Sequence, residues 1–370
     1  MSKKVIPFFD YPRVFLDEKD DLLRIFEDVG TRGAFILQKD LNDFEKNLAT
    51  FLGSNYTIGV GNATDGLELA WMSVGLKQND EVICCAHTML ATASSIKIAG
   101  GIPVPIDIGY DNLIDVDKIE EAITDKTVGI MPTQLNGRTC NMNKIMNIAS
   151  KHNLTVIEDS AQALGSMYNN QKAGTFGYAG VISFFPAKVL GSLGDGGVVI
   201  TNSDNTYDKI FQLHDHGRDP SGEVKSWGRN SRLDNLQAAI LNHRLKSYEK
   251  VIARRREVAA IYNENLSDLE ELNLPPAPNE DKLHFDVYQN YELRAKDRDD
   301  LKNYLNKYNI GTLIQWNGKA IHQWHGLGFK AKLPKVEQFF KECIMLPMNT
   351  FISDEDVIYI CNKIRDFYRT

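Results

Sequence analysis

Lys188 stands where an amine could do chemistry. The apolar run Val181-Ile182-Ser183-Phe184-Phe185 precedes it and stops at Pro186, and a loop with Gly191, Gly194, Gly196 and Gly197 follows. Proline fixes φ and donates nothing to a ladder, while glycine takes turns that other residues resist. The spacing therefore predicts a strand that ends just before the lysine, leaving Lys188 on irregular backbone at the strand's margin. A lysine in a desolvated pocket loses its proton more easily and can attack a carbonyl carbon. Most of the 42 Lys and Arg of this chain must nonetheless be solvated surface groups, so the lysine alone decides nothing.

A second run, Thr155-Val156-Ile157-Glu158-Asp159-Ser160-Ala161-Gln162, again reads as a strand ending in a carboxylate, Asp159, with the Gln162 amide three residues on. A carboxylate and a lysine, each closing an apolar strand, are what a pyridoxal phosphate site needs: the lysine forms a Schiff base and the carboxylate keeps the ring nitrogen protonated. A third stretch is the short strand Tyr56-Thr57-Ile58-Gly59-Val60, then Gly61-Asn62-Ala63-Thr64-Asp65-Gly66, then a helix from about Thr64. Small residues between a strand and a helix N-terminus leave backbone N–H groups free for an anion. The alternative is an ordinary helix capped by Asn62 or Thr64; beside Lys188 and Asp159 the phosphate reading is the better one.

SFFPAK with its GDGG loop, EDSAQA and GNATDGLELA together resemble the DegT/DnrJ/EryC1/StrS family of sugar aminotransferases, over nearly the whole chain. Several separated motifs in the right order make a specific signal. The resemblance implies a fold-type-I architecture, a pyridoxal 5'-phosphate cofactor and a nucleotide-linked keto sugar as substrate, with L-glutamate as amino donor. It implies that Lys188 is the Schiff-base lysine and acid–base group, that Asp159 partners the ring nitrogen, and that Gln162 donates to the ring's phenolic oxygen. Ser183, Ala63 and Thr64 would hold the phosphate. Asn230 would reach the phosphate of a neighbouring subunit, which requires a homodimer. Arg232 either faces substrate or holds its loop. His214, His216 and Arg218 either bind pyrophosphate or form a solvated loop.

Three departures from the family pattern stand out. Met89 occupies a place where relatives carry an aromatic side chain stacked on the cofactor, and a thioether is soft enough to pack a ring face. Leu164 replaces a histidine. Gln315-Trp316-Asn317 replaces a His-Tyr-Pro run, which leaves the sugar open. Related sugar dehydratases have histidine in place of the lysine, so Lys188 favours transamination. The Asn230–Ala239 run resembles the C-3 branch, giving a 3-keto sugar as the first reading and C-4 amination of a 4-keto-6-deoxy sugar as the second. A non-catalytic regulator on the same scaffold is the rival of another class. The expected product is an amino sugar for surface polysaccharide, such as lipopolysaccharide, or another glycoconjugate.

Composition sets the outer bounds. At 370 residues, 43% apolar, 25% charged and net charge −7, the chain reads as an ordinary globular protein without a nucleic-acid-binding surface. The N-terminal stretch meets Pro7, Asp10 and Pro12 before any apolar run, so neither a signal peptide nor a membrane span is expected. Cys84, Cys85, Cys140, Cys343 and Cys361 show no metal spacing and read as reduced packing residues of a cytoplasmic protein. The eight histidines are scattered, and no metal is expected.

The elements that must position these groups alternate along the chain. Strands are expected at 56–60, 81–86, 102–108, 128–133, 155–158, 181–185 and 197–201, and the last two, joined without a helix, are expected to include one antiparallel strand. Helices are expected near 18–29, 40–52, 64–74, 91–98, 116–123, 143–152 and 205–213, then a long helical region to about 266. This predicts a three-layer α/β/α domain with a mainly parallel seven-stranded sheet over residues 1–244, including an N-terminal helical segment, and a smaller α+β domain over 245–370. In the latter, strands are expected at 288–293 and 311–316 and helices at 302–308 and 354–368.

Overall fold

The computed structural model describes residues 4–369. Its first element, α1 (Tyr11–Arg32), starts a full two turns before the expected boundary, because Asp10 accepts from the Arg13 N–H (3.3 Å) and proline is tolerated in the first turn. Then follow α2 (Lys39–Leu52), β1 (Tyr56–Val60), α3 (Ala63–Val74), β2 (Glu81–Cys85), α4 (Leu90–Ile98), β3 (Ile102–Ile106) and β4 (Thr127–Met131). After α5 (Met142–His152) and β5 (Thr155–Asp159) come a short hairpin, β6 (Met167–Tyr168) and β7 (Gln171–Lys172), then β8 (Ala179–Ser183) and β9 (Gly197–Thr201).

Seven of these strands form one sheet in the order β1-β9-β8-β5-β4-β2-β3. Strands β8, β5, β4, β2 and β3 pair in parallel, while β9 is antiparallel to both of its neighbours and is the one reversed strand of the sheet. The glycine loop explains the reversal: a parallel return needs a crossover long enough to carry a helix, and this loop carries none. Side chains alternate across β8 and β9. Val181 and Val199 pack with Trp71 and Leu67 on one face, and Ile182, Val198 and Ile200 pack with Phe44 and Leu48 on the other. Helices on both faces make the expected three layers.

The remaining chain contains α6 (Asp204–His214), α7 (Asn235–Leu245), α8 (Tyr248–Leu266), β10 (Leu272–Asn273), β11 (His284–Phe285), β12 (Tyr291–Ala295), α9 (Arg298–Lys307), α10 (Pro334–Glu342), β13 (Cys343–Leu346) and α11 (Asp354–Arg369). A small sheet, β10-β12-β13, and helices α8, α9 and α11 enclose a separate apolar cluster around Tyr262, Tyr291, Leu305, Ile344 and Ile360, to which Ile6 also belongs.

Four expectations are corrected. Residues 116–123 form two short 3-10 turns, Val116–Lys118 and Glu120–Ala122, since β-branched and acidic residues make a poor eight-residue helix. Residues 311–316 are not a strand: one bridge, Leu313 to Met345, precedes a turn in which Trp316 (φ 47°) and Asn317 (φ 56°) are left-handed. The long helical region breaks at Lys246 and Ser247 into α7 and α8. The strand expected at 288–293 begins at Tyr291, because Tyr288 is itself left-handed (φ 49°). The sequence pattern assigned nothing to 317–353, where α10 and β13 lie. Among the described residues no helix is long and apolar enough to cross a membrane.

Candidate active site

Strand register brings the chemical groups to one end of the sheet. Val60 pairs with Gly197, and Gly197 with Ser183, so the end of β1, the start of β9 and the end of β8 form a row. Asp159, the last residue of β5, pairs with Val181 two residues earlier on β8. The carboxyl ends of parallel strands are where open α/β sheets place their ligands.

Asp159 is 3% exposed. Thr92 Oγ1 donates to its Oδ2 (2.6 Å) and the Ala161 N–H to its Oδ1 (3.2 Å). Among the described residues it forms no ion pair, a costly state for a buried carboxylate. Burial pushes its pKa up, against the pull of the Thr92 hydroxyl, the Ala161 N–H and, more distantly, Lys188. Thr92 is part of a buried hydroxyl chain through Thr88 to Thr133 (2.5 and 2.9 Å). Thr88 and Thr92 are spaced i, i+4 around the start of α4, which is the signal that could have found this support for Asp159.

Beyond Pro186 the chain turns, and the Lys188 N–H donates back to the Phe185 carbonyl (2.8 Å). The Lys188 amine has no hydrogen-bond partner among the described residues. Although its side chain keeps some open surface, it is crowded by protein, and burial lowers its pKa to about 8 while Asp159 opposes the shift. It lines a cavity of about 500 Å³ with Phe8, Tyr11, Phe15, Arg244 and Asn290. A larger concavity of about 840 Å³ touches Arg138, Asn290 and Glu292 but not Lys188, and Asp159 lines neither of the two. The amine, not volume, selects the smaller one.

Gln162 is oriented by its oxygen. Its Oε1 accepts from the Asn136 N–H (3.0 Å) and, at longer range, from Asn290 Nδ2 (3.4 Å), which leaves Nε2 as an unused donor. At the start of α3, Asn62 caps the helix by accepting from the Asp65 N–H (2.9 Å), and the N–H groups of Ala63 and Thr64 precede the first helical bond. Gly197 lies so close beneath that a Cβ there would sit 2.7 Å from the Ala63 nitrogen. Glycine is therefore required for the β9 backbone to pass under the helix end. Ser183 Oγ accepts from the Phe185 N–H (3.3 Å) in the same row.

Met89 is half exposed at the start of α4, with its sulfur accepting from the Ala91 N–H (2.9 Å). Asn230 is exposed on a loop anchored to the helix end by its neighbour: Ser231 Oγ accepts from the Gly61 N–H (3.0 Å) and donates to Asp65 (2.7 Å). Arg232 pairs with Asp215 (2.9 Å), which holds that loop, and His214 is buried. Strand register thus sets Ser183 in one row with the start of α3 at Ala63 and Thr64, Asp159 lies near enough to Lys188 to act on its proton affinity, Asn290 reaches Gln162 from the Lys188 cavity, and Asn230 is exposed on the loop tied to α3. The arrangement offers an amine, a buried anion, a neutral donor and a cradle of N–H groups.

A family model described as the DegT/DnrJ/EryC1/StrS aminotransferase family matches residues 17–365. The chain is 37% identical over 370 residues to a dTDP-3-amino-3,6-dideoxy-alpha-D-galactopyranose transaminase of Aneurinibacillus thermoaerophilus, covering 98% of this chain and 99% of that one. It is 36% identical over 369 residues, with the same coverage, to a pleiotropic regulatory protein of Geobacillus stearothermophilus. The crystal structure of NtdA from Bacillus subtilis with bound cofactor PMP has a TM-score of 0.91 at 28% identity, covering 99% of this chain and 86% of that one.

Proposed function

We propose, on the premise that this chain belongs to the DegT/DnrJ/EryC1/StrS aminotransferase family, that it moves an amino group from L-glutamate to a keto sugar linked to a nucleotide diphosphate. The chain is a pyridoxal-phosphate-dependent aminotransferase of fold type I. The observation that carries the site assignment is the pairing of a buried carboxylate lacking an ion pair, Asp159, with an amine whose pKa falls to about 8, Lys188.

The residues fit the cofactor group by group. Asp159 would hold the ring nitrogen protonated, and Gln162 Nε2 would donate to the ring oxygen. Ser183 with the N–H groups of Ala63 and Thr64 would hold the phosphate, and Met89 would lie against the ring. When bound, the cofactor supplies an electron-poor ring that accepts negative charge from the substrate carbon. Lys188 would hold the cofactor, and its amine, when free, would move the proton at the substrate carbon, work typically worth about 10²–10⁴-fold.

Asn230 would complete the neighbouring site in a homodimer. Its exposure supports this. The name of the Aneurinibacillus relative favours a 3-keto sugar; C-4 amination is the second reading, and an amino sugar for surface polysaccharide is the product class. The Geobacillus relative's name favours the regulatory alternative, against which stand the retained Lys188, Asp159 and Gln162. The division at residues 244 and 245 is likewise proposed, although α8, which begins just beyond it, packs against both parts: Tyr248 and Ile252 with the first, Val258 to Leu266 with the second. Five buried free cysteines fit a cytoplasmic setting.

The test is to load the protein with cofactor, add L-glutamate, and then supply a panel of nucleotide-linked 3-keto and 4-keto sugars. Amination of a 3-keto member is expected. Discharge of the visible absorbance by glutamate without any sugar product would argue for another acceptor, and no discharge at all for the regulator.

A further inference from the structure

One short segment from the far end of the chain grips two active-site residues at once. Gln289 Oε1 accepts from the Val189 N–H (2.9 Å) and its Nε2 donates to the Ala187 carbonyl (2.8 Å), so a single side chain holds the peptides on both sides of Lys188. Its neighbour Asn290 donates from Nδ2 to Asn136 Oδ1 (2.7 Å) and to Gln162 Oε1 (3.4 Å). The Asn136 N–H donates to that same Gln162 oxygen (3.0 Å). With its acceptor engaged, Gln162 has only Nε2 left to offer, and that atom has no protein partner among the described residues.

The grip is itself held stiffly. Buried Arg255 donates from Nε to the Tyr288 carbonyl (2.8 Å) and from Nη2 to the Gln289 carbonyl (2.6 Å). Tyr288 (φ 49°) and Asn136 (φ 56°) are both left-handed, which is uncommon for a bulky tyrosine. Gly137 (φ 89°) lies so near that a Cβ there would meet the Tyr288 and Gln289 nitrogens at 2.6 and 2.7 Å. A left-handed tyrosine is pressed against the Asn136–Gly137 turn beside the reactive groups, and strain of this kind persists only where surroundings over-determine it. Packing alone would need neither the paired bonds around Lys188 nor the fixed direction of the Gln162 amide.

We propose that Gln289 and Asn290 are positioning residues that form one clamp, fixing the Lys188 amine and the Gln162 donor relative to each other. The proposal rests on the reading that both face the cofactor. Gln289→Met removes both bonds around Lys188 at similar side-chain length. Asn290→Asp puts an oxygen where Asn136 and Gln162 present oxygens, which turns the Gln162 amide away.

Both variants are loaded with pyridoxal phosphate and their visible absorbance is titrated with pH, alongside the melting temperature and the rate at which L-glutamate discharges the absorbance. For Asn290→Asp the titration midpoint is expected to rise by about one pH unit, because the ring oxygen loses a donor that stabilises its anion. For Gln289→Met the saturating discharge rate is expected to fall on the order of 10²-fold, the cost of a misplaced reacting group, with a smaller change in half-saturating glutamate. A purely structural role would lower the melting temperature while leaving midpoint and rate at wild-type values, and that result overturns the proposal. If Gln289→Met fails to fold, the Asn290→Asp midpoint decides alone; if neither folds, the segment is a folding element and the clamp is overturned. A wild-type protein that forms no lysine-bound chromophore sinks the functional reading and the clamp with it, an outcome distinct from an intact chromophore indifferent to both substitutions.

Discussion

Asp159 ends β5 and Lys188 sits on the turn beyond the end of β8, near enough for each to shift the other's proton affinity yet, among the described residues, not ion-paired. Burial opposes charge on both, and their mutual attraction only partly offsets it. The lysine amine is therefore free to react near neutral pH, which an ion pair with Asp159 would prevent.

Capture of pyridoxal phosphate by the cofactor-free protein should speed up through a midpoint near pH 8, since the neutral amine is the nucleophile and the folded pKa lies about there. Stopped-flow absorbance over pH 6–11, about the range needed, checks it; a midpoint in the ordinary lysine range contradicts the burial of this amine. Lys188→Ala should keep the circular dichroism spectrum and lose covalent capture altogether.

Asp159→Asn removes the charge that raises the Lys188 pKa, so the capture midpoint should move below that of the unchanged protein. Turnover should fall by at least about 10²-fold, as when a preorganised electrostatic partner is lost. Faster capture at low pH together with slower turnover is the signature to measure. A fall in both would point to simple misfolding.

Mixed dimers test the shared site. Lys188→Ala and Asn230→Ala chains, each impaired alone, should regain activity on mixing, because one of the two sites then has an intact lysine and an intact neighbouring asparagine. Size-exclusion chromatography establishes the dimer first, and absence of complementation places Asn230 in its own subunit's site.

Away from the site, Glu45 accepts from the Gly59 N–H (2.6 Å), and burial raises its pKa to about 7. Its folded pKa exceeds the unfolded one, so the folded state binds the proton more tightly. Stability from this group is present below the unfolded value near 4.5 and is lost as pH rises toward 7. Glu45→Gln should thus be close to neutral at low pH and stabilising by about 1 kcal/mol at pH 8, a figure kept small because the side chain is not fully enclosed. Urea denaturation at the two pH values measures the difference.

Much of the large sheet was legible because its strands are short apolar runs with glycine or proline at their ends. The reversed β9 followed from a connection without a helix. Elements failed where local preference is weak, as in the acidic 116–123 stretch, or where tertiary contacts impose rare backbone angles, as at Trp316 and Tyr288. Asp159, Gln162 and Lys188 could be singled out because each follows a readable strand within one motif. Thr92, Asn136, Gln289 and Asn290 lie in no such motif, and no local pattern ties Gln289 to a lysine a hundred residues earlier.

Local spacing shows which chemistry is on offer: an amine, a carboxylate and a helix-end cradle, each at or just past the end of a strand, because strand ends are written in neighbouring residues. How those groups act together emerges from the folded chain. Burial that lowers the Lys188 pKa, the missing ion pair at Asp159 and the amides that hold Lys188 and Gln162 all arise from contacts between distant segments. Such contacts depend on where the chain passes in space, which no local spacing encodes.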